Sequence, residues 1–367
     1  MCRPLYGILL SSSLLVGGMS YALPDEHAAA FPFVQDLSSL KSSLNLQVTD
    51  KLEKISIPFK KLKLRAQNPK NDPTIEPLAI HVPRSETGLE DLIGKIAQPG
   101  KGDALQEVLL DRMKKQGPSA KATVKVDLES KDLSLINLKA LGEEMSKENH
   151  DVTLLHKNFT ENPNLWSELR AQLNYVLHHD QISQISKKIK SGADLSLTED
   201  LLPPFAKRMV GKFIVYRGPN CFHAALAFFD QKMTRLPSIN VKEEEGYHKA
   251  MINYDELWRV INTQFYEIDP RVAPLKYGDM LVFFAAPEES TAMINFKWIR
   301  HTAIYLVGPY TFSKGSKSPN TPYSVKTLEE EWTTWREMTP NLGLKVYRRQ
   351  LMNSEIATPT TRIDWIY

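Results

Sequence analysis

Two cysteines occur in the chain, Cys2 and Cys221. The second stands where a thiol could do chemistry. Gly218-Pro219-Asn220 is a turn signal, and Cys221-Phe222-His223-Ala224-Ala225-Leu226-Ala227-Phe228-Phe229 is an apolar run of helix formers. A helix is therefore predicted to start at Cys221, with Asn220 as its N-cap. A thiol in a first helical turn faces unpaired backbone N–H groups and the positive end of the helix dipole, which favour the thiolate. The competing reading is that Cys221 is a small buried hydrophobe, the usual fate of a free cysteine.

A thiol nucleophile needs an imidazole to take and return a proton. His223 lies two positions from Cys221, about 200° away around a helix, and so points elsewhere. His248 follows the acidic Glu243-Glu244-Glu245 and reads as solvated. His178-His179-Asp180 lacks the two-turn His spacing and third ligand of a metal site and reads as the polar end of a helix. His301 opens the strand-like stretch Arg300-His301-Thr302-Ala303-Ile304-Tyr305-Leu306-Val307-Gly308, 80 positions after Cys221. The two can meet only through tertiary structure.

The elements that would bring them together are legible as patterns. Lys212-Phe213-Ile214-Val215-Tyr216 is a strand leading into the Cys221 turn. Tyr254 to Phe265 has a helical stripe of Leu257, Trp258, Ile261 and Phe265. Gly278-Asp279 is a turn before the apolar strand Met280-Leu281-Val282-Phe283-Phe284, with Asp279 as turn-former. Tyr310-Thr311-Phe312-Ser313, Lys345 to Arg349 and Ile363 to Tyr367 supply further strands. A cysteine-bearing helix on an antiparallel sheet is an α+β arrangement.

The first half reads as a smaller α+β module. Residues 23 to about 44 are expected to be loosely packed. Ile55-Ser56-Ile57 and Leu62-Lys63-Leu64 read as short β runs, Leu89 to Ile96 and Ala104 to Lys115 as helices, Thr123 to Leu128 as a strand, and Leu133 to Leu138 as a weaker one. Lys60, Lys61, Lys63 and Arg65 form a basic cluster, read as a solvated face rather than a contact for an anionic glycan or lipid. Asn158 to Asn164 is the preferred boundary, giving residues 23–160 as one module and 161–367 as the second. Helical patterns at Leu165 to His179, Gln181 to Lys190 and Thr198 to Val210 lead the second.

Composition bounds the rest. Lys and Arg total 46 against 43 Asp and Glu, a net charge of +3 that argues against a nucleic-acid partner. Met1 to Ala22 reads as a secretory signal: Arg3, the apolar Ile8-Leu9-Leu10 and Leu14-Leu15-Val16, then Ser20-Tyr21-Ala22 as cleavage site. The expected location is periplasmic or secreted, with no transmembrane segment. Cleavage would remove Cys2 and leave Cys221 as the one thiol, which rules out a disulfide framework and a cysteine-built zinc site. No metal or cofactor is expected.

Four signals in one order resemble the NlpC-type, papain-like cysteine peptidases of bacterial cell walls. They are a cysteine opening an apolar helix, Gly278-Asp279-Met280-Leu281-Val282-Phe283-Phe284, a histidine opening the next strand as His301-Thr302-Ala303-Ile304-Tyr305-Leu306, and a following strand. The resemblance covers roughly Tyr216 to Phe312, with Arg349 as its outer limit. It implies a papain-like core, a Cys221 nucleophile and a His301 base acting on peptidoglycan stems or cross-links. The family's third catalytic position falls at Ser313, a weaker orienter of imidazolium than a carboxylate or amide. Tyr216, Asn220 and Lys314 are candidate substrate-binding or supporting residues. Asn220 and Phe222 depart from the family's usual aspartate and serine. Those departures keep open a catalytically inactive binding module, and an acyl or lipid thiol hydrolase is a further alternative.

Overall fold

The computed structural model describes residues 31–67, 77–118, 121–213, 219–229, 252–285, 298–317 and 321–350. The proposed signal at 1–22, Tyr216, His248 and the strand expected at 363–367 lie outside them.

The described elements are mixed α and β, and every strand pairing is antiparallel. In order they are β1 Val48–Ile55, α1 Phe59–Ala66, β2 Leu78–Pro83, α2 Glu86–Ile96, α3 Gly102–Lys115, β3 Thr123–Leu128, α4 Leu138–Glu144, β4 Lys147–Leu154, α5 Lys157–Glu161, α6 Leu165–Leu173, α7 His179–Lys190, β5 Leu195–Ser196 and α8 Pro204–Met209. The later part contributes α9 Cys221–Ala227, α10 Tyr254–Gln264, β6 Phe265–Ile268, β7 Met280–Ala285, β8 Ile299–Tyr305, β9 Tyr310–Lys314, β10 Tyr323–Thr327, α11 Leu328–Met338 and β11 Leu342–Arg349.

Two expectations for the first half change. Leu62 and Leu64 lie on a helix, α1, rather than a strand. Pro58 sets its start, the lysines and leucines are good helix formers, and burying Leu62 and Ala66 one turn apart fixes the register. Leu133 to Leu138 is not a strand: it runs from the end of a 3₁₀ turn, Ser130–Ser134, through an isolated bridge from Ile136 to Ala97, into α4, whose first turn Asn137 caps through its side-chain oxygen.

Residues 55–141 close around their own apolar core, made by β2, β3, α1, α2, α3 and α4 and joined by Phe213. The sheet that matters for chemistry has six strands in the order β10-β9-β8-β7-β11-β6. Its two faces are covered separately. Met280, Val282, Phe284, Ile304, Phe312 and Val325 pack with α9, and Leu154, Phe159 and Leu165 of the chain's middle belong to that same core. Leu281, Phe283, Ala303, Leu344 and Val346 pack with Leu328 and Trp332 of α11. The alternation along β7 makes this two-sided burial possible, since successive residues point to opposite faces. The fully apolar Met280–Phe284 run is what such a strand requires.

The segment from residue 31 is a packed strap rather than loose chain. Val34 and Leu344 exchange backbone hydrogen bonds of 2.9 Å, and Lys41 and Ser43 bracket Leu275 through the main chain. Phe33 lies edge-on to Phe284 at 5.4 Å. A Cβ on Gly343 would come within 2.8 Å of the Phe33 Cβ, so glycine is what permits the strap to lie so close.

Candidate active site

Cys221 is the first residue of α9, as its sequence implies. The Asn220 side-chain oxygen accepts from the His223 backbone N–H at 3.0 Å, and its amide donates to the Ile252 carbonyl at 2.7 Å. Asn220 thus caps α9 and ties it to the chain entering α10. The helix is pinned by its own composition: Ala224, Ala225, Leu226, Ala227, Phe228 and Phe229 are all buried against β8, β9 and neighbouring helices. Complete burial of a leucine or phenylalanine side chain is worth about 1.5–3 kcal/mol. His223 points away from the thiol into a separate contact, its Nδ1 lying 3.1 Å from the Tyr323 hydroxyl and its ring edge-on to Phe205.

His301 is aimed by a break in β8. Phe283 pairs with His301 while Phe284 pairs with Ile299, so Arg300 is an extra, exposed residue in the ladder. Such bulges turn a side chain without ending a strand. The His301 imidazole is fully buried between Phe283, at 5.4 Å, and Trp335, on which it stacks at 4.7 Å with planes 17° apart.

The third member comes from α11. Glu331 Oε2 lies 3.1 Å from His301 Nε2, and both groups are essentially without solvent exposure. The approach is an ion pair rather than a straight N–H···O bond, since neither ring nitrogen has a well-directed hydrogen-bond partner among the described residues. Catalytic hydrogen bonds are often misaligned until substrate is bound. The Cys221 thiol acts on the same ring and, like the carboxylate, favours its charged form. Burial favours the neutral imidazole, but the Glu331 charge and the Cys221 thiol outweigh it, and His301 is pushed up to about 9. Burial likewise works against the Glu331 carboxylate. The His301 charge, Lys326 and Ser313 overcome that and hold Glu331 down at about 2.

Ser313 is brought to this cluster in a different role from the one its place in the strand order suggests. Its hydroxyl donates to Glu331 Oε1, so the carboxylate is held on both oxygens, by serine on one and histidine on the other. Lys314, the next residue, is buried but turned to the β9–β10 connection, where its ammonium donates to the Ser316 carbonyl and the Thr321 hydroxyl. It supports that turn. Asp279 is a turn-former: it accepts from the Lys276 N–H at 2.7 Å and takes a two-pronged bond from Arg348 at 2.9 and 2.8 Å.

No protein-family model matches the chain, and no curated protein or solved structure is detectably similar to it. The geometry therefore carries the functional argument.

Glu331 was not among the residues singled out from sequence, because Glu329-Glu330-Glu331 reads as the acidic first turn of a solvated helix. A signal was nevertheless present. Leu328, Glu331, Trp332 and Trp335 stand at i, i+3, i+4 and i+7, so the inward stripe of α11 contains one carboxylate. A nucleophile, a base and an orienting carboxylate, enclosed by aromatic rings, can deprotonate a thiol and return the proton to a leaving group.

Proposed function

We propose that the protein is a thiol hydrolase of NlpC-like, papain-like type that cleaves amide bonds, with peptidoglycan peptide stems or cross-links as substrate. The observation that carries this reading is the buried cluster of Cys221, His301 and Glu331. Sequence order supports it, because cysteine helix, Gly-Asp turn, histidine strand and following strand succeed one another as the resemblance requires.

In the first half-reaction the Cys221 sulfur attacks the scissile carbonyl carbon, and the new C–S bond forms as the carbonyl π electrons move to oxygen. Backbone N–H groups at the start of α9 can donate to that oxygen. Collapse breaks the C–N bond, and His301 gives its proton to the departing amine. In the second half, His301 takes a proton from water, hydroxide adds to the thioester, and the acid leaves as the thiol is restored. Glu331 keeps the ring oriented and stabilises the imidazolium at each stage, while Ser313 fixes Glu331.

The inactive-module alternative rests on the Asn220 and Phe222 departures and on the weak residue at the third strand position. A carboxylate reaching His301 from α11 speaks against the second of these and leaves the first standing. An acyl or lipid substrate would use the same residues and differ only in the leaving group. Export rests on the Met1 to Ala22 signature. No helix among the described residues is long and apolar enough to cross a membrane.

The deciding experiment is incubation with isolated peptidoglycan and mass analysis of soluble products. Wild type is expected to release fragments carrying new amino and carboxyl ends, and Cys221→Ser and His301→Ala none, with all three proteins folded. Release by either variant at the wild-type rate would sink the mechanism. Absence of release from every wall type would remove the substrate assignment.

A further inference from the structure

One titratable cluster outside the site touches the helix that carries Glu331. His150 of β4 is buried between two carboxylates. Its Nδ1 lies 2.7 Å from Asp50 Oδ2 on β1, and its Nε2 lies 3.0 and 3.1 Å from the two oxygens of Glu330 on α11. A neutral imidazole has one N–H and one lone pair, so it can serve only one of these acceptors. Two carboxylates on opposite ring nitrogens call for the doubly protonated cation. Two further groups face the cluster. Tyr310 of β9 donates its hydroxyl to the same Asp50 oxygen at 2.7 Å, and Lys326 of β10 acts on the adjacent Glu331. Burial disfavours the His150 charge, but Glu330 and Asp50 outweigh it and raise its titration.

Glu330 is no ordinary surface residue of α11. Its Oε2 accepts from the Thr327 backbone N–H at 2.6 Å and from the Thr327 hydroxyl at 2.9 Å, closing the capping box that starts the helix. Beside it, Asn149 of β4 accepts from the Val325 N–H of β10 at 2.6 Å. Consecutive residues of β4 therefore grip β10 and the first turn of α11, and Glu331 is the next residue of that turn.

We propose that His150 is a positioning residue for the Cys221–His301–Glu331 site: as a cation it holds the first turn of α11, and with it Glu331, against the N-terminal strand pair β1–β4. The site's orienting carboxylate thus depends on residues far outside the cysteine-to-histidine region. The tie is present while His150 is protonated and is lost as pH rises through its titration. The inference rests on the reading of Cys221, His301 and Glu331 as one reactive site.

The test is the titration of His301, followed by imidazole ¹⁵N shifts in full-length wild type, His150→Gln and His150→Arg, with circular dichroism to verify folding. In His150→Gln the His301 midpoint is expected to fall by about one pH unit, as a loosened Glu331 stabilises the imidazolium less. Iodoacetamide alkylation of Cys221 at pH 6 should slow about three- to tenfold in the same variant. His150→Arg, which keeps the charge and can bridge two carboxylates, should restore both. Glu330→Gln keeps an acceptor for the Thr327 cap and should reproduce His150→Gln even if the latter folds poorly. A His301 midpoint unchanged in both Gln variants overturns the proposal. If wild-type Cys221 reacts no faster than in His301→Ala, the hydrolase reading fails separately, and the His301 midpoint still decides whether His150 positions Glu331.

Discussion

Glu331 on α11 and His301 on β8 form a buried ion pair at 3.1 Å, 30 positions apart in sequence and on opposite sides of the β9–β10 hairpin. The carboxylate comes from a helix over the sheet rather than from the strand that follows the histidine. Glu331→Gln preserves shape and removes the charge. The expected result is a fall in the His301 titration from about 9 toward its ordinary value and a loss of amide hydrolysis of about 10²–10⁴-fold. Imidazole ¹⁵N shifts and initial rates on the same sample check both. Full activity in Glu331→Gln would reduce the carboxylate to a structural partner.

Ser313 separates two roles that its position alone confuses. If it oriented the imidazole directly, Ser313→Ala would cost as much as losing Glu331. Acting through Glu331, it should cost about tenfold in kcat, with KM little changed, because one charge-assisted hydrogen bond to the carboxylate is lost. Comparing kcat in Ser313→Ala, Glu331→Gln and the double variant decides the point. The double variant should be no worse than Glu331→Gln.

The pair also shapes stability against pH. His301 titrates near 9 in the fold against an ordinary 6.5, so its contribution is complete below about 6.5 and disappears as pH rises through about 9. Glu331 titrates near 2 against 4.5, so its contribution is complete above about 4.5 and disappears as pH falls through about 2. Counted once, the pair is worth on the order of 3 kcal/mol between pH 4.5 and 6.5. The thermal stability of wild type should therefore exceed that of Cys221→Ser/Glu331→Gln/His301→Gln by most in that window, and the variant's profile should be flatter. Parallel profiles would show that the pair does not govern the pH response.

Trp335 makes a third kind of contact with the site. Its indole stacks on His301, and its Nε1 has no hydrogen-bond partner among the described residues, so its tie to the site is the ring face. A cation over an indole face is worth about 0.5–2 kcal/mol. Trp335→Leu should lower the His301 titration by up to about one unit, and Trp335→Phe by less. Equal titrations in all three proteins would assign Trp335 to packing alone.

The parts of the site visible in sequence were those with a local signature. Cys221 follows a turn and a capping Asn and opens an apolar run. Gly278, with φ of +89°, is the kind of position only a turn glycine fills comfortably. His301 stands near the start of a strand-like run, Thr302 to Val307, that is almost wholly apolar. What remained hidden depended on the helix meeting the sheet. Glu331 looks like its acidic neighbours until α11 is laid on Phe283 and Ala303, and Ser313 looks catalytic until that carboxylate arrives. Leu62 reads wrongly for the opposite reason: leucines at i and i+2 fit a strand, whereas burial of Leu62, Arg65 and Ala66 together with good helix formers after Pro58 favours the helix.

The strap at residues 31–44 has a kinetic implication. The Lys345 ammonium is bonded to the Phe31 carbonyl across a sequence separation of 314, and Val34 pairs with Leu344 where β6 does not reach β11. Contacts of such span form late, because the loop they close costs entropy before any contact repays it. Until the strap docks, the part of β11 around Leu344 that β6 does not reach is unpaired on that side, and the face beneath Leu37 and Leu40 is bare. A nascent or truncated chain lacking either end would expose a surface suited to pairing with another copy of itself.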